Sequence, residues 1–227
     1  MTNAKQRLFL VFMSALILAA VFSDGRIDLW FSDLWFDRTA MLFPVAELSF
    51  VDHVLYRGHK IFMVGVALFL VGWGVRLLQQ GQQGFSWVHM WVGIGGTVAI
   101  VATVALLKKQ TGIECPWSLE RYGGVLPYVS LEEAVRLALG GQFGQGRCFP
   151  AGHATGGLFL LAWATAFSEV FPKLANIIYV IAVALGFLMG LLRVAQGAHF
   201  LSHVVWAIWT ALVITYFLQW CLSLRSK

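Results

Sequence analysis

Long apolar runs alternate with short polar segments along this chain of 227 residues. A membrane-crossing helix needs roughly 20 consecutive apolar residues, and each run is close to that length. The pattern predicts six spans, at about 8–22, 61–78, 89–107, 151–167, 174–192 and 201–222. The first run has the basic start of a signal peptide, but a poor cleavage site follows it, so we expect a retained helix with a cytoplasmic N-terminus.

Two connections between these spans are long enough to hold further elements. In 24–60, four apolar side chains share one helical face, namely Trp30, Phe31, Leu34 and Trp35. That face is typical of a helix lying in the membrane interface, and a loop packed onto the bundle is the alternative. In 108–152, Ser130 and Glu133 form a capping-box pattern, which predicts a short helix at 131–139.

Composition agrees with a membrane protein and limits its partners. The chain is 59% hydrophobic and 12% charged, whereas a soluble domain carries roughly 45–50% apolar and about 25% charged residues. The sequence therefore predicts an all-α, polytopic membrane protein with a single domain over 1–227. The net charge is +5, but no basic run or aromatic-basic module is present, which favours an anionic partner at the membrane surface over nucleic acid.

A cytoplasmic N-terminus places the connections 24–60, 108–152 and 193–200 on the outer side. Ten of the 16 lysines and arginines then lie outside, an excess that the positive-inside rule does not favour. Part of that excess belongs to the candidate site described next. Either orientation places all of that site on one side of the membrane.

Basic and histidine side chains collect where three spans begin or end. Lys108 closes the third span, the segment 149–153 opens the fourth, and the stretch 193–203 joins the fifth to the sixth. Ionisable groups at a membrane edge are costly unless they pair, meet water or bind a ligand. We therefore expect these three junctions to form one pocket.

The side chains of that pocket suit a phosphate group. Lys108 supplies a point charge and Arg193 a bidentate fork. The helix start that includes Gly152 offers backbone N–H groups to an anion. His153 and His199 are able to divide the duties of nucleophile and general acid.

Simpler interpretations of the same residues stay open. His199 and His203 are spaced i,i+4, which also fits a metal pair with His153 as a third ligand, or a pair that only caps a helix end. Lys109 is best explained as an interfacial anchor, and Arg147 fits a solvated loop charge equally well. The remaining histidines are interpreted as structural: His53, His59 and His89.

Two cysteines lie beside the junctions. Cys115 and Cys148 both belong to the connection 108–152. If that connection is extracytoplasmic, a disulfide between them is plausible, and two free thiols are equally so. Cys221 lies in an apolar run, where a cysteine behaves as a small buried hydrophobe.

The motifs of the pocket resemble the signatures of a known family. Residues 150–153 read Pro-Ala-Gly-His and residues 193–199 read Arg-x5-His. They are similar to the second and third signatures of the type 2 phosphatidic acid phosphatase (PAP2) family, Pro-Ser-Gly-His and Ser-Arg-x5-His-x3-Asp. Residues 108–116, Lys-x6-Cys-Pro, are similar to the first, Lys-x6-Arg-Pro. The resemblance covers 108–203 and implies a PAP2-like helical bundle with its active site at the outer membrane face.

The resemblance also implies a role for each residue of the pocket. His199 would be the nucleophile and form a phosphohistidine, and His153 would protonate the leaving oxygen. Lys108, Arg193 and Gly152 would hold the phosphoryl oxygens. Neither a metal nor another cofactor would be needed.

The chain departs from the family pattern at four positions. Three of them stand among, or next to, the residues that would hold the phosphate. Cys115 replaces an arginine, and Arg121 or Arg147 is a candidate to supply the lost phosphate ligand. Ala151 replaces a serine, which removes a hydroxyl donor but keeps the backbone. Leu192 replaces the serine before the arginine of the third signature.

The fourth departure concerns the nucleophile. His203 stands where the family has the aspartate that orients the reactive histidine. A neutral imidazole can accept the N–H of His199, but it stabilises the cationic ring less than a carboxylate does. Glu114 and Glu120 are alternative orienting groups.

The resemblance implies a membrane phosphatase acting on a lipid phosphate or pyrophosphate at the outer face of a bacterial inner membrane. The family's usual bacterial substrates are undecaprenyl pyrophosphate, lipid A phosphate and phosphatidylglycerol phosphate. One alternative is a lipid phosphotransferase, which would pass the phosphoryl group from His199 to another lipid. Another is a non-catalytic lipid-phosphate binder or transporter, which the changes at Cys115 and His203 make credible.

Overall fold

The computed structural model describes residues 4–48, 58–141 and 144–225. Its helices are α1 (Ala4–Phe22), α2 (Arg26–Asp33), α3 (His59–Gln79), α4 (Trp87–Gln110), α5 (Leu131–Leu139), α6 (Thr155–Leu158), α7 (Leu160–Phe167), α8 (Pro172–Ala195) and α9 (Leu201–Arg225). Five of the described helices, α1, α3, α4, α8 and α9, are long and apolar enough to cross a membrane. Apart from isolated bridges, the described residues hold no β-strand. The predicted all-α, multi-pass fold is confirmed.

The predicted span at 151–167 is not one continuous helix. It consists of a 3-10 turn at Gly152–Ala154 followed by α6 and α7, with an interruption at Phe159. Every residue of α7 is buried, and this segment packs against α4, α8 and α9. Because protein surrounds it, the segment does not need the full length of a lipid-exposed span. Its composition could not reveal this, since a helix that is apolar on all sides suits either environment.

The centre of the bundle depends on a close approach between the broken segment and α8. A Cβ added at Gly157 would lie 2.4 Å from the backbone nitrogen of Gly186. Beyond this contact, the fully buried side chains Trp163, Phe167, Leu161 and Ile100 fill the space between α7 and α4. The turn that carries His153 therefore begins a segment fixed on several sides.

Of the two short helices outside the bundle, α5 matches its prediction, and α2 covers part of the predicted apolar face. In α2, Trp30 is 62% exposed, whereas Phe31 and, beyond the helix end, Trp35 pack against the core. The predicted helix therefore forms, and its position in the membrane interface stays a prediction. Helix α5 spans the predicted 131–139, and the Ser130 hydroxyl accepts the N–H of Glu133 at 3.2 Å. Part of the connection 24–60, residues 49–57, lies outside the described residues.

The N-terminal end of α4, opposite the end that carries Lys108, holds a separate polar contact. His89 lies in the first turn of α4, and its Nε2 is 3.1 Å from a carboxylate oxygen of Glu169. Its Nδ1 accepts the backbone N–H of Ser86. This pairing agrees with the structural role expected for His89.

Substituting Gly157 with alanine should destabilise the bundle, because the new methyl group has no space beside the backbone of Gly186. The expected cost is about 1–3 kcal/mol, the usual range for overpacking a core. Gly72→Ala is the control, since a Cβ there meets nothing within 4 Å. Thermal unfolding of the purified variants in detergent measures the difference, and equal midpoints would contradict the close packing described here.

Candidate functional site

Hydrogen bonds and a disulfide hold the three predicted junctions together. Ala151 donates its backbone N–H to the carbonyl of His203 at 2.9 Å, which joins the second junction to the third. Trp117 donates to the carbonyl of Gly197 at 2.9 Å, which joins the first to the third. Cys115 and Cys148 form a disulfide with a Cα–Cα distance of 5.3 Å. The structure thus brings all three junctions to one place.

A glycine turn after α8 directs the side chain of His199 into the region where the three junctions meet. Gly197 ends α8 in the left-handed conformation, with φ of 68°, and Ala198 donates to the carbonyl of Arg193 at 2.9 Å. This is the hydrogen bond of a Schellman helix end, where glycine is favoured because it has no Cβ. The chain then enters α9 only two residues beyond His199, so the side chain has little freedom of position.

The three histidines of the site form a row. The ring centroids of His153 and His199 are 5.9 Å apart, and those of His199 and His203 are 5.8 Å apart. His199 and His203 are each 2% exposed. Phe149 and Phe200 meet the ring of His203 edge-on, each at 5.3 Å between centroids.

Two basic side chains lie beside this row. A Cβ added at Gly152 would be 3.9 Å from Nζ of Lys108, so the lysine lies against the backbone that opens the broken segment. Arg193 donates from Nη1 to Oε1 of Gln196 at 2.6 Å, and its guanidinium lies 5.7 Å from the ring of Trp117. Both cations act electrostatically on His153 and His199.

Burial and charge together favour a neutral His199. Burial, followed by the neighbouring His203 and Lys108, lowers the pKa of His199 well below 6.5. A neutral imidazole has a lone pair available for attack, which is the state that a nucleophile requires. Nδ1 of His199 has no hydrogen-bond partner in the described part of the chain. Neither His203 nor the alternative groups Glu114 and Glu120 therefore bind this nitrogen here.

The two candidate replacements for the lost arginine, Arg121 and Arg147, differ in their surroundings. Arg121 forms a two-pronged ion pair with Asp33 of α2, in which Nε donates to Oδ1 at 3.0 Å. This pair lowers the pKa of the Asp33 carboxyl. Arg147 is exposed. The guanidinium of Arg121 is thus bound to α2, and a phosphate contact from Arg147 stays a prediction.

Sequence reasoning missed a buried carboxylate that fixes the start of α9. Asp28 is 4% exposed and accepts the backbone N–H of Ser202 at 2.8 Å as well as its hydroxyl. Burial raises the pKa of Asp28 to about 6, against the opposing effect of the bonds from Ser202. The two residues are 174 positions apart, and no local pattern signals their contact.

Sequence reasoning also missed two basic side chains at the start of α3. His59 and Lys60 line the same groove as Lys108, Gly152 and His153. The one available signal was their position, because they end a connection expected on the same side as the other junctions. Within the described ranges, no three His, Cys, Asp or Glu side chains are grouped so as to hold a metal ion.

Fold and site define a multi-pass helical membrane protein with buried histidines and basic side chains gathered at helix ends. The family model of the PAP2 superfamily matches residues 87–227, and the chain belongs to this superfamily. No curated protein and no solved structure matches the chain. The match begins with α4 and includes all three junctions, while α1 to α3 lie outside it. Membership implies phosphatase-type activity.

Asp28→Ala should destabilise the protein, because Ser202 then keeps a buried N–H and hydroxyl without their acceptor. Unsatisfied buried groups cost about 1–3 kcal/mol. Asp24→Ala is the control, since Asp24 forms an exposed ion pair with Arg26, and such pairs contribute little. Thermal unfolding in detergent should show a large decrease for the first variant only.

The pH dependence of stability provides a second test of Asp28. Its pKa is 3.8 in the unfolded chain and about 6 when folded, so the folded protein binds more protons between these values. The contribution of this carboxyl to stability must therefore fall as pH rises through that interval. Asp28→Asn should remove this part of the pH dependence, and an unchanged stability profile in that variant would contradict the assignment.

Proposed function

We propose that this protein is a membrane phosphatase that hydrolyses a lipid phosphate or pyrophosphate through a phosphohistidine. The observation that carries the proposal is the row of three histidines beside Lys108 and Arg193, within a chain of the PAP2 superfamily. The neutral ring of His199 attacks phosphorus and forms a P–N bond. The bond from phosphorus to the leaving oxygen breaks, and His153 supplies the proton that this oxygen takes up.

The second half of the reaction returns the site to its starting state. His153, now neutral, accepts a proton from water, and the hydroxide formed attacks the phosphohistidine. The P–N bond breaks, inorganic phosphate leaves, and His199 is neutral again. Lys108 and Arg193 stabilise the negative charge on the transferring group in both steps, which is the main catalytic contribution in phosphoryl transfer. No step requires a metal ion.

The surroundings of the site support a lipid as substrate. His199 and His203 lie where α8 ends and α9 begins, and both helices are long and apolar enough to cross a membrane. A lipid in that membrane would present its headgroup at these helix ends. The extracytoplasmic face of a bacterial inner membrane is the proposed location, and the disulfide at the site supports an oxidising compartment.

One observation favours a second candidate, a lipid-phosphate binder that does not turn over. The buried Nδ1 of His199 lacks the hydrogen bond that would orient a nucleophile. A chain with this defect would keep its phosphate-binding cations while losing the chemical step. Phosphate release by the purified protein distinguishes the two candidates.

His199→Ala should abolish phosphate release from lipid phosphates, and His153→Ala should reduce it strongly, because each histidine performs a step that no neighbour replaces. EDTA should leave wild-type turnover unchanged. Thermal unfolding of both variants controls for folding. Loss of activity in EDTA that zinc restores would instead establish a metal site on the histidines.

His203→Asp tests the residue at which the chain departs furthest from its family. Because the pKa of His199 is lowered, protonation of His199 should limit wild-type kcat/KM only at pH values well below 6.5. An aspartate would accept the Nδ1–H of His199 and favour its charged form, which raises that pKa. The acid limb of the pH–rate profile should then move upward, with turnover kept or increased.

His203→Ala completes the comparison. If the ring of His203 supports the nucleophile, turnover should fall by roughly 10- to 100-fold, as for other groups that support a functional histidine. Turnover at the wild-type rate would show that His203 does not orient His199.

A further inference from the structure

The first turn of α3 forms one wall of a groove that leads away from the histidines. The groove has a volume of about 470 Å³, and its polar end is lined by His59, Lys60, Lys108, Gly152 and His153. Its other end is largely apolar, with Met63, Val64, Ala67, Val101 and Phe159. The Thr97 hydroxyl at this end donates to the carbonyl of Gly93. Val64 and Val101 are 59% and 43% exposed, so the groove opens on the side of the bundle that faces lipid.

His59 and Lys60 lie on the His153 side of the site. A Cβ added at Gly156 would be 2.4 Å from Nε2 of His59, which places this ring against the segment that follows His153. The charges of Lys60 and His59 act on His153. Those that act on His199 come from His203, Lys108, His153 and Arg193. The order along the site is thus His199, His153, the first turn of α3, and the apolar groove.

This order defines where each part of a lipid substrate lies. The attacking and leaving atoms stand roughly in line on opposite sides of phosphorus. With His199 as nucleophile and His153 as acid, the leaving group points toward α3 and its tail toward the apolar groove. The atoms directly beyond the leaving oxygen then meet His59 and Lys60. In a lipid monophosphate these are uncharged carbons, whereas in a lipid diphosphate they belong to a second phosphate.

We propose that His59 and Lys60 form a second anion subsite that binds the phosphate remaining on the lipid, which makes lipid diphosphates the preferred substrates. An ammonium and an imidazole suit phosphate oxygens, and the charge-assisted hydrogen bonds they make are among the stronger ones. This inference rests on the proposed function for its direction of attack. The P–N bond forms at the terminal phosphorus, the bond to the bridging oxygen breaks, and that oxygen leaves as part of a lipid monophosphate.

The test compares two substrates that differ only in the second phosphate, farnesyl monophosphate and farnesyl diphosphate, with the full chain in detergent. Lys60→Gln should lower kcat/KM for the diphosphate by roughly 10- to 100-fold, the effect of losing one charge-assisted hydrogen bond. The monophosphate should change by less than about threefold. His59→Gln should act in the same direction, and Lys60→Arg should retain most of the preference because it retains the charge.

Lys109→Gln is the matched control, because Lys109 is also exposed and basic, one position beyond Lys108. It should affect neither substrate. If Lys60→Gln and His59→Gln change both substrates by the same factor, the second subsite is overturned while the phosphatase stands.

A binding measurement separates the subsite from catalysis. In a His199→Ala background, farnesyl diphosphate should bind more tightly than the monophosphate, and Lys60→Gln should remove the difference. If this binding difference is found but the wild-type protein releases no phosphate, the subsite is supported and the hydrolytic function is rejected. Equal binding of both lipids, unaffected by Lys60→Gln, would overturn the subsite.

Discussion

The hydrogen bond from the Ala151 N–H to the carbonyl of His203 is the contact on which the rest of the site depends. It fixes the segment that carries His153 against the first turn of α9. The connection after α4 is attached to the same region through Trp117 and the disulfide. Backbone groups form most of these links, so the site retains its shape where side chains depart from the family pattern. The change from serine to Ala151 removes a hydroxyl but leaves the linking N–H in place.

Burial of the histidines is the consequence of this tight closure, and it has two effects on His199. It favours the neutral ring, which suits attack on phosphorus. It also isolates Nδ1 from any hydrogen-bond partner in the described chain. Leaving a buried polar group without a hydrogen bond costs free energy, which is why such groups are rare. The carboxylate that approaches this region, Asp28, binds Ser202 instead and stabilises the start of α9. Asp28 therefore orders the turn at the start of α9 but does not orient the nucleophile His199.

Periodicity predicted the helices well because a lipid-facing helix and its polar ends leave a clear local pattern. It also predicted that Lys108, His153 and His199 meet. Successive spans run in opposite directions, so every second connection lies on the same side of the membrane. The interruption at Phe159 left no such pattern, because a protein-surrounded segment is as apolar as a lipid-surrounded one. The partners of Arg121 and Asp28 were unpredictable for another reason: both pairings join α2 to distant parts of the chain, and charge alone does not select a partner.

The proposed leaving group resolves a difficulty in the charge distribution. Burial, followed by the cations gathered around the ring, disfavours the protonated form of His153, the form that must supply a proton. An alkoxide leaving group would depend heavily on that proton, because an alkoxide is a strong base. A phosphate monoester is a far weaker base and leaves with most of its charge stabilised by nearby cations. The basic side chains that reduce the protonated fraction of His153 are therefore suited to stabilise a departing phosphate, and His59 and Lys60 lie on the side where it would depart.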